Sequence, residues 1–123
     1  MSLVTSGDAE VFEAHGVRFR SYARPSLGSD QLCAWRVEVP PGSRGVPHRP
    51  SREEVLYCLS GELAITIDGH GHALRPGDAA HVPAGSEISL DGGPDGGAAL
   101  TATLAGIEAV MPDGTTLRPP WAG

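Results

Sequence analysis

GSRGVPHRPSREEVLYCLSG, from Gly42 to Gly61, decides the fold class of this chain. Pro40-Pro41-Gly42 closes the segment before it, because proline cannot donate to a strand ladder and glycine permits a tight reversal. Glu54 to Leu59 then reads as a strand. Residues two apart on a strand share a face, so Glu54, Leu56 and Cys58 lie on one side and Val55, Tyr57 and Leu59 on the other. Ser60-Gly61-Glu62 carries a hairpin signal into a second strand, Leu63 to Ile67. Asp68-Gly69 is a type I′ dipeptide that sends the chain back through His70 to Leu74. After the turn at Arg75-Pro76-Gly77-Asp78 comes a second glycine-proline stretch, GDAAHVPAGSEI from Gly77 to Ile88, with short strands at Ala79–Val82 and Ser86–Leu90 around Pro83-Ala84-Gly85.

Upstream, Val17 to Ala23 and Gln31 to Val39 alternate apolar and polar residues on either side of the turn-forming ARPSLGSD. Downstream, the loop DGGPDGG leads into Ala98 to Leu104 and a last strand near Ile107 to Met111. About nine to eleven short strands, with turns every ~8 to 12 residues, predict an all-β, double-sheet jelly-roll barrel. Seventeen glycines and eleven prolines punctuate the apolar runs, and no helical period lasts beyond about two turns. A chain of 123 residues supports one core, hence a single domain over 1–123 with an N-terminal arm at 1–15 and a C-terminal tail at 112–123. Met1-Ser2-Leu3 reads as a leader outside the fold. Trp121 is too apolar for a plain linker, so the tail is expected to pack back on the barrel or across a dimer.

A formal charge of −6 and a pI near 5.2 exclude a nucleic-acid or anionic-membrane surface, since either needs clustered Lys and Arg. The longest apolar runs fall far short of the roughly 20 residues that span a bilayer, and no signal peptide is visible. A cytoplasmic protein is expected. Cys33 and Cys58 lack CxxC spacing and read as buried or free thiols.

The two stretches, within Val37 to Leu90, resemble the two motifs of the cupin superfamily, Gly-x5-His-x-His-x3-Glu-x6-Gly and Gly-x5-Pro-x-Gly-x2-His. Gly42, His48, Glu54 and Gly61 match the first, and Gly77, Pro83 and Gly85 the second. Pro50 and Ile88 stand at two of the family's histidine positions, so the resemblance implies the double-stranded β-helix of a small single-domain cupin with a degenerate metal site. Cupins hold a divalent first-row metal on three histidines and a glutamate; carried over, His48 and Glu54 are two such ligands. Two protein donors rarely hold a divalent ion, which favours a cavity without a metal cofactor. If His81 points inward, His48, Glu54 and His81 form a two-histidine, one-carboxylate set suited to one Fe, Mn, Ni or Zn ion.

Without metal, His48 and Glu54 read either as a hydrogen-bonded acid/base pair in the cavity or as a salt bridge of the scaffold. Leu56, Cys58 and Ile88 are expected on the cavity wall, with Arg44 and Arg49 binding an anionic group of a ligand or remaining solvated. Cys58 is a nucleophile only if His48 lies within about 3 Å; a small buried hydrophobe is its commoner role. His70 and His72 sit two apart on a hairpin arm, and His15 belongs in a turn. Tyr57 and Trp35 read as core or dimer contacts. The leading expectation is a small stand-alone cupin binding a small organic ligand in its barrel. A metal-dependent oxygenase or lyase using His48, Glu54 and His81 comes second, and a dimeric scaffold without chemistry third. The resemblance also implies a homodimer, which would cover open sheet edges.

Overall fold

The computed structural model describes residues 3–123; Met1 and Ser2, and with them most of the leader reading, lie outside the described residues. Ten strands follow in order: β1 Glu10–Ala14, β2 Val17–Ala23, β3 Leu32–Val39, β4 Arg49–Pro50, β5 Glu54–Ile67, β6 His70–Leu74, β7 Ala79–Val82, β8 Ile88–Leu104, β9 Ala109–Val110 and β10 Thr116–Leu117. Two short 3-10 turns, Pro25–Leu27 and Pro120–Ala122, complete the regular structure. The larger sheet runs β1-β2-β3-β8-β5-β6, with β7 paired to the other half of β5; the smaller is β10-β9-β4. No helix among the described residues is long and apolar enough to cross a membrane. Part of the expected N-terminal arm is the strand β1, closed onto β2 by His15-Gly16 with φ of 53° and 77°.

The expected hairpin at Ser60-Gly61-Glu62 does not form, and of the expected loop at DGGPDGG residues 93–96 lie outside the paired register, opposite Glu62. β5 and β8 instead run through both segments as 14- and 17-residue strands. Their antiparallel ladder extends from Val55 opposite Ala102 to Ile67 opposite Ile88, with register shifts at Cys58/Ser60 and Gly61/Leu63. Bulges absorb the extra residues, so the strands bend rather than reverse. Gly61 is required there. Its φ is +68°, and a Cβ would run into the carbonyl of Gly96 on β8. A glycine run that signals a turn in sequence here permits two backbones to approach closely.

Alternation then fills the barrel. Cys33, Trp35, Val37 and Val39 are the inward set of β3, while Leu56, Cys58, Leu63 and Ile65 come from β5. Each large aliphatic side chain so buried contributes about 1.5–3 kcal/mol relative to exposure. Val82 and Ala99 pack against them. Cys33 and Cys58 are both free buried thiols. The C-terminal tail packs back on the same barrel. Trp121 stacks on Phe19 with ring centroids 3.7 Å apart and meets Trp35 edge-on at 6.5 Å. Ser21 Oγ donates to the Trp121 carbonyl at 2.8 Å, and the Cys33 thiol to the Ala122 carbonyl at 3.4 Å.

Candidate functional site

Between the sheets lies a cavity of about 140 Å³. Its wall is mostly aliphatic and aromatic, drawn from β2, β3, β5, β8, the 42–50 segment and the tail. His48, Glu54, Leu56, Pro50 and Ile88 all line it. The β5 alternation that places Glu54 and Leu56 inward is the one read from the sequence, with Val55 and Tyr57 exposed on the other face.

Glu54 opens β5 opposite Val82 and is 6% exposed. Burial alone pushes its carboxyl up to about 7 from an ordinary value of 4.5, because the charged form loses its hydration. His48 is held by a two-way backbone bridge to Ile88, with N···O distances of 3.0 and 2.8 Å. Its Nδ1 lies 2.9 Å from the Val46 carbonyl. A carbonyl can only accept, so Nδ1 carries the proton and donates; in the neutral ring Nε2 is then a bare lone pair. Among the described residues no hydrogen bond or ion pair joins His48 to Glu54. They are two separate polar points on one apolar wall, neither a bonded acid/base pair nor a salt bridge.

Four expected site residues lie elsewhere. His81 is opposite Val55 on the outer face of the sheet, over half exposed, with Nε2 2.9 Å from Glu53. The parity of β7 relative to β5 turns it to solvent. It cannot join His48 and Glu54 in a ligand set. Arg49 also points outward, its guanidinium donating to the Gly85 carbonyl at 3.1 Å and lying 3.6 Å from Glu87. Arg44 is exposed and is not part of the wall. Cys58 is fully buried behind the wall, within 3.6 Å of the Ser60 carbonyl, and burial pushes its thiol up. It is packed as a core hydrophobe and does not line the cavity.

Several lining residues escaped the sequence reading, His15, Thr101, Trp35 and Trp121 among them. Thr101 is buried on β8 between Leu56 and Trp35, and the alternation Ala99-Thr101-Thr103 held its signal. Trp35, read as core or dimer contact, and Trp121, read only as a packing tail, both line the cavity. Nothing local in the sequence sets Trp121 there; its place depends on a contact spanning the chain.

Residues 35–89 match the family described as the cupin domain. The chain has the cupin fold. In structure it is similar to the polyketide cyclase RemF from Streptomyces resistomycificus, with a TM-score of 0.75 at 22% identity over 85% of this chain and 79% of that one. It is similar also to KdgF from Halomonas sp., with a TM-score of 0.74 at 18% identity over 84% and 94% of the two chains. At such identities the likeness is one of fold. In sequence it is similar to dimethylsulfoniopropionate lyase DddW of Ruegeria pomeroyi, 37% identical over 60 residues, which is 49% of this chain and 40% of that protein. The match thus spans less than half of that relative.

The metal that the cupin motifs imply can be tested against the donors present. On this cupin wall only His48 Nε2 and Glu54 combine a good donor atom with the motif position, since Pro50 and Ile88 offer none. Among the described residues no group of three or more His, Cys, Asp or Glu side chains is placed to hold an ion. A divalent metal needs three or four donors to offset its hydration, and the described residues of this wall do not group that many.

Proposed function

We propose that this cupin domain binds a small organic ligand in its barrel cavity, with Glu54 and His48 as polar anchors among apolar walls. The observation that carries the reading is the pairing of a mainly apolar cavity, partly open to solvent, with two polar side chains on its wall whose hydrogen-bonding capacity is not spent on each other. Pockets for small molecules have this composition: apolar area supplies affinity, and a few polar groups set orientation. Burial of Glu54 without a partner costs stability, which a ligand satisfying the carboxyl would recover.

A fragment screen by saturation-transfer NMR tests this, with Leu56→Trp as the filled-cavity control. Fragments whose signals vanish in the control support the cavity as the site; hits that persist in it place binding elsewhere. His48→Ala is expected to weaken such hits about fivefold or more, the worth of one hydrogen bond, while leaving the melting transition in place.

A second reading, a metal-dependent oxygenase or lyase, draws on the similarity to dimethylsulfoniopropionate lyase DddW and on the bare Nε2 of His48. It needs donors that this wall lacks. Elemental analysis of tag-free protein after incubation with Fe(II), Mn(II), Ni(II) or Zn(II) separates the readings. Retention of a full equivalent, lost in His48→Ala, would favour the enzyme, whereas less than about a tenth of an equivalent is expected from a two-donor site.

A further inference from the structure

Resting on the cavity-binding reading above, three features of the wall narrow the ligand further. The first is size. A cavity of about 140 Å³ compares with the ~150 Å³ apolar cavity that takes up benzene, so the part of a ligand held inside it is a single ring or its aliphatic equivalent. The second is charge. The nine side chains with a permanent positive charge are all arginines, and none of them lines the cavity, where His15 and His48 are the ionisable nitrogens. At pH 8 a carboxylate or phosphate entering beside Glu54 would be a buried anion with no permanent cation to meet it, which is unfavourable. A sugar would leave most of its hydroxyls unpaired against aliphatic walls, at about 1–3 kcal/mol for each.

The third feature is a donor with nothing to donate to. Trp121 lines the cavity, and its indole N–H is buried with no hydrogen-bond partner among the described residues. Its ring is fixed by the stack on Phe19 and the edge contact with Trp35. Its backbone is anchored through Ser21. Buried indole N–H groups usually find a partner, and a ligand oxygen would provide one.

We propose that the cavity selects an uncharged single-ring molecule bearing one hydrogen-bond-accepting oxygen, and that the Trp121 indole N–H is the donor that reads that oxygen. Glu54, Thr101 and Nε2 of His48 are left to orient any further polar group on the ring. Trp121 is thus a specificity-determining residue of the barrel.

Isothermal titration calorimetry with three probes of one shape, benzaldehyde, toluene and benzoate at pH 8, tests the proposal on wild type, Trp121→Phe and Leu56→Trp. Phenylalanine keeps an aromatic ring against Phe19 and removes only the donor. Wild type is expected to bind benzaldehyde at least about tenfold more tightly than benzoate, and Trp121→Phe to weaken benzaldehyde about fivefold while leaving toluene within about twofold. Toluene is the control for repacking, since a variant that merely loosens the fold weakens both neutral probes. Equal affinity for benzoate and benzaldehyde would overturn the exclusion of anions. Equal effects of Trp121→Phe on benzaldehyde and toluene, or none on either, would overturn the role of the indole. Should none of the probes bind while larger or charged fragments bind and are lost in Leu56→Trp, the cavity reading stands and this inference falls. If no fragment is lost in Leu56→Trp, the cavity reading falls with it.

Discussion

Glu54→Gln isolates the cost of placing an ionisable carboxyl inside the barrel. The folded protein holds Glu54 at about 7 against an ordinary 4.5, through burial. Each factor of ten in proton affinity is worth about 1.36 kcal/mol, so the full effect is about 3 kcal/mol. With a folded value above the unfolded one, the folded state binds more protons between pH 4.5 and 7, and stability falls as pH rises across that window. Below pH 4.5 the side chain is protonated in both states and no penalty exists; above about 7 it is ionised in both and the penalty is complete. Glutamine has nearly the same shape and never ionises. Its own burial cost is independent of pH.

The difference in unfolding free energy between Glu54→Gln and wild type is therefore expected to move about 3 kcal/mol in favour of the variant between pH 4 and pH 8. Urea unfolding followed by tryptophan fluorescence at pH 4, 6 and 8 measures it, since Trp35 and Trp121 both sit in the core. His15 and His48, the other titratable groups on the cavity wall, are present in both proteins and cancel in the difference. A difference that stays within about 0.5 kcal/mol over this pH range would refute the argument. It would mean that Glu54 is hydrated or paired in solution.

Gly61→Val is expected to prevent folding or cost more than about 3 kcal/mol, because both its positive φ and the Gly96 carbonyl oppose a β-branched side chain; a variant whose urea midpoint matches wild type would show that β5 and β8 need no close approach there. Trp121→Ala removes the stack on Phe19 and is expected to cost about 3–5 kcal/mol, read as a lower thermal midpoint; an unchanged midpoint would show that the tail is not anchored in the barrel. His81→Ala, which deletes only an exposed contact with Glu53, is expected to change stability by less than about 0.5 kcal/mol and to leave fragment binding intact. Loss of binding in that variant would show that His81 reaches the cavity.

Fold class followed from local signals. The alternation of Glu54 to Leu59, the positive-φ dipeptide Asp68-Gly69 and the glycine-proline frame at Gly77 to Gly85 are decided by residues within a few positions of one another, through steric limits on φ and the two-residue period of a strand. They were enough for an all-β barrel and for Glu54 and Leu56 on one shared face of a strand, while His48 and Glu54 as cavity residues came through their places in the cupin motif. The same local view mistook Ser60-Gly61-Glu62 for a hairpin. Glycine signals a reversal and a close approach equally well, and only the partner strand β8 tells which is meant.

What the tertiary structure alone decided is which side chains meet. The outward turn of His81 depends on the register of β7 against β5, and a one-residue change in register would exchange the two faces of the strand. Arg49 was drawn out of the cavity by Gly85 and Glu87, thirty-six and thirty-eight positions along the chain. Trp121 reached the wall through Phe19, Trp35 and Ser21, contacts that span nearly the whole chain. By itself the sequence determined the barrel and the face that Glu54 shares with Leu56, because these depend on the period of single strands; the inward direction of that face and the composition of the cavity waited on contacts between strands far apart in sequence, since a side chain's neighbours there are set by register and closure.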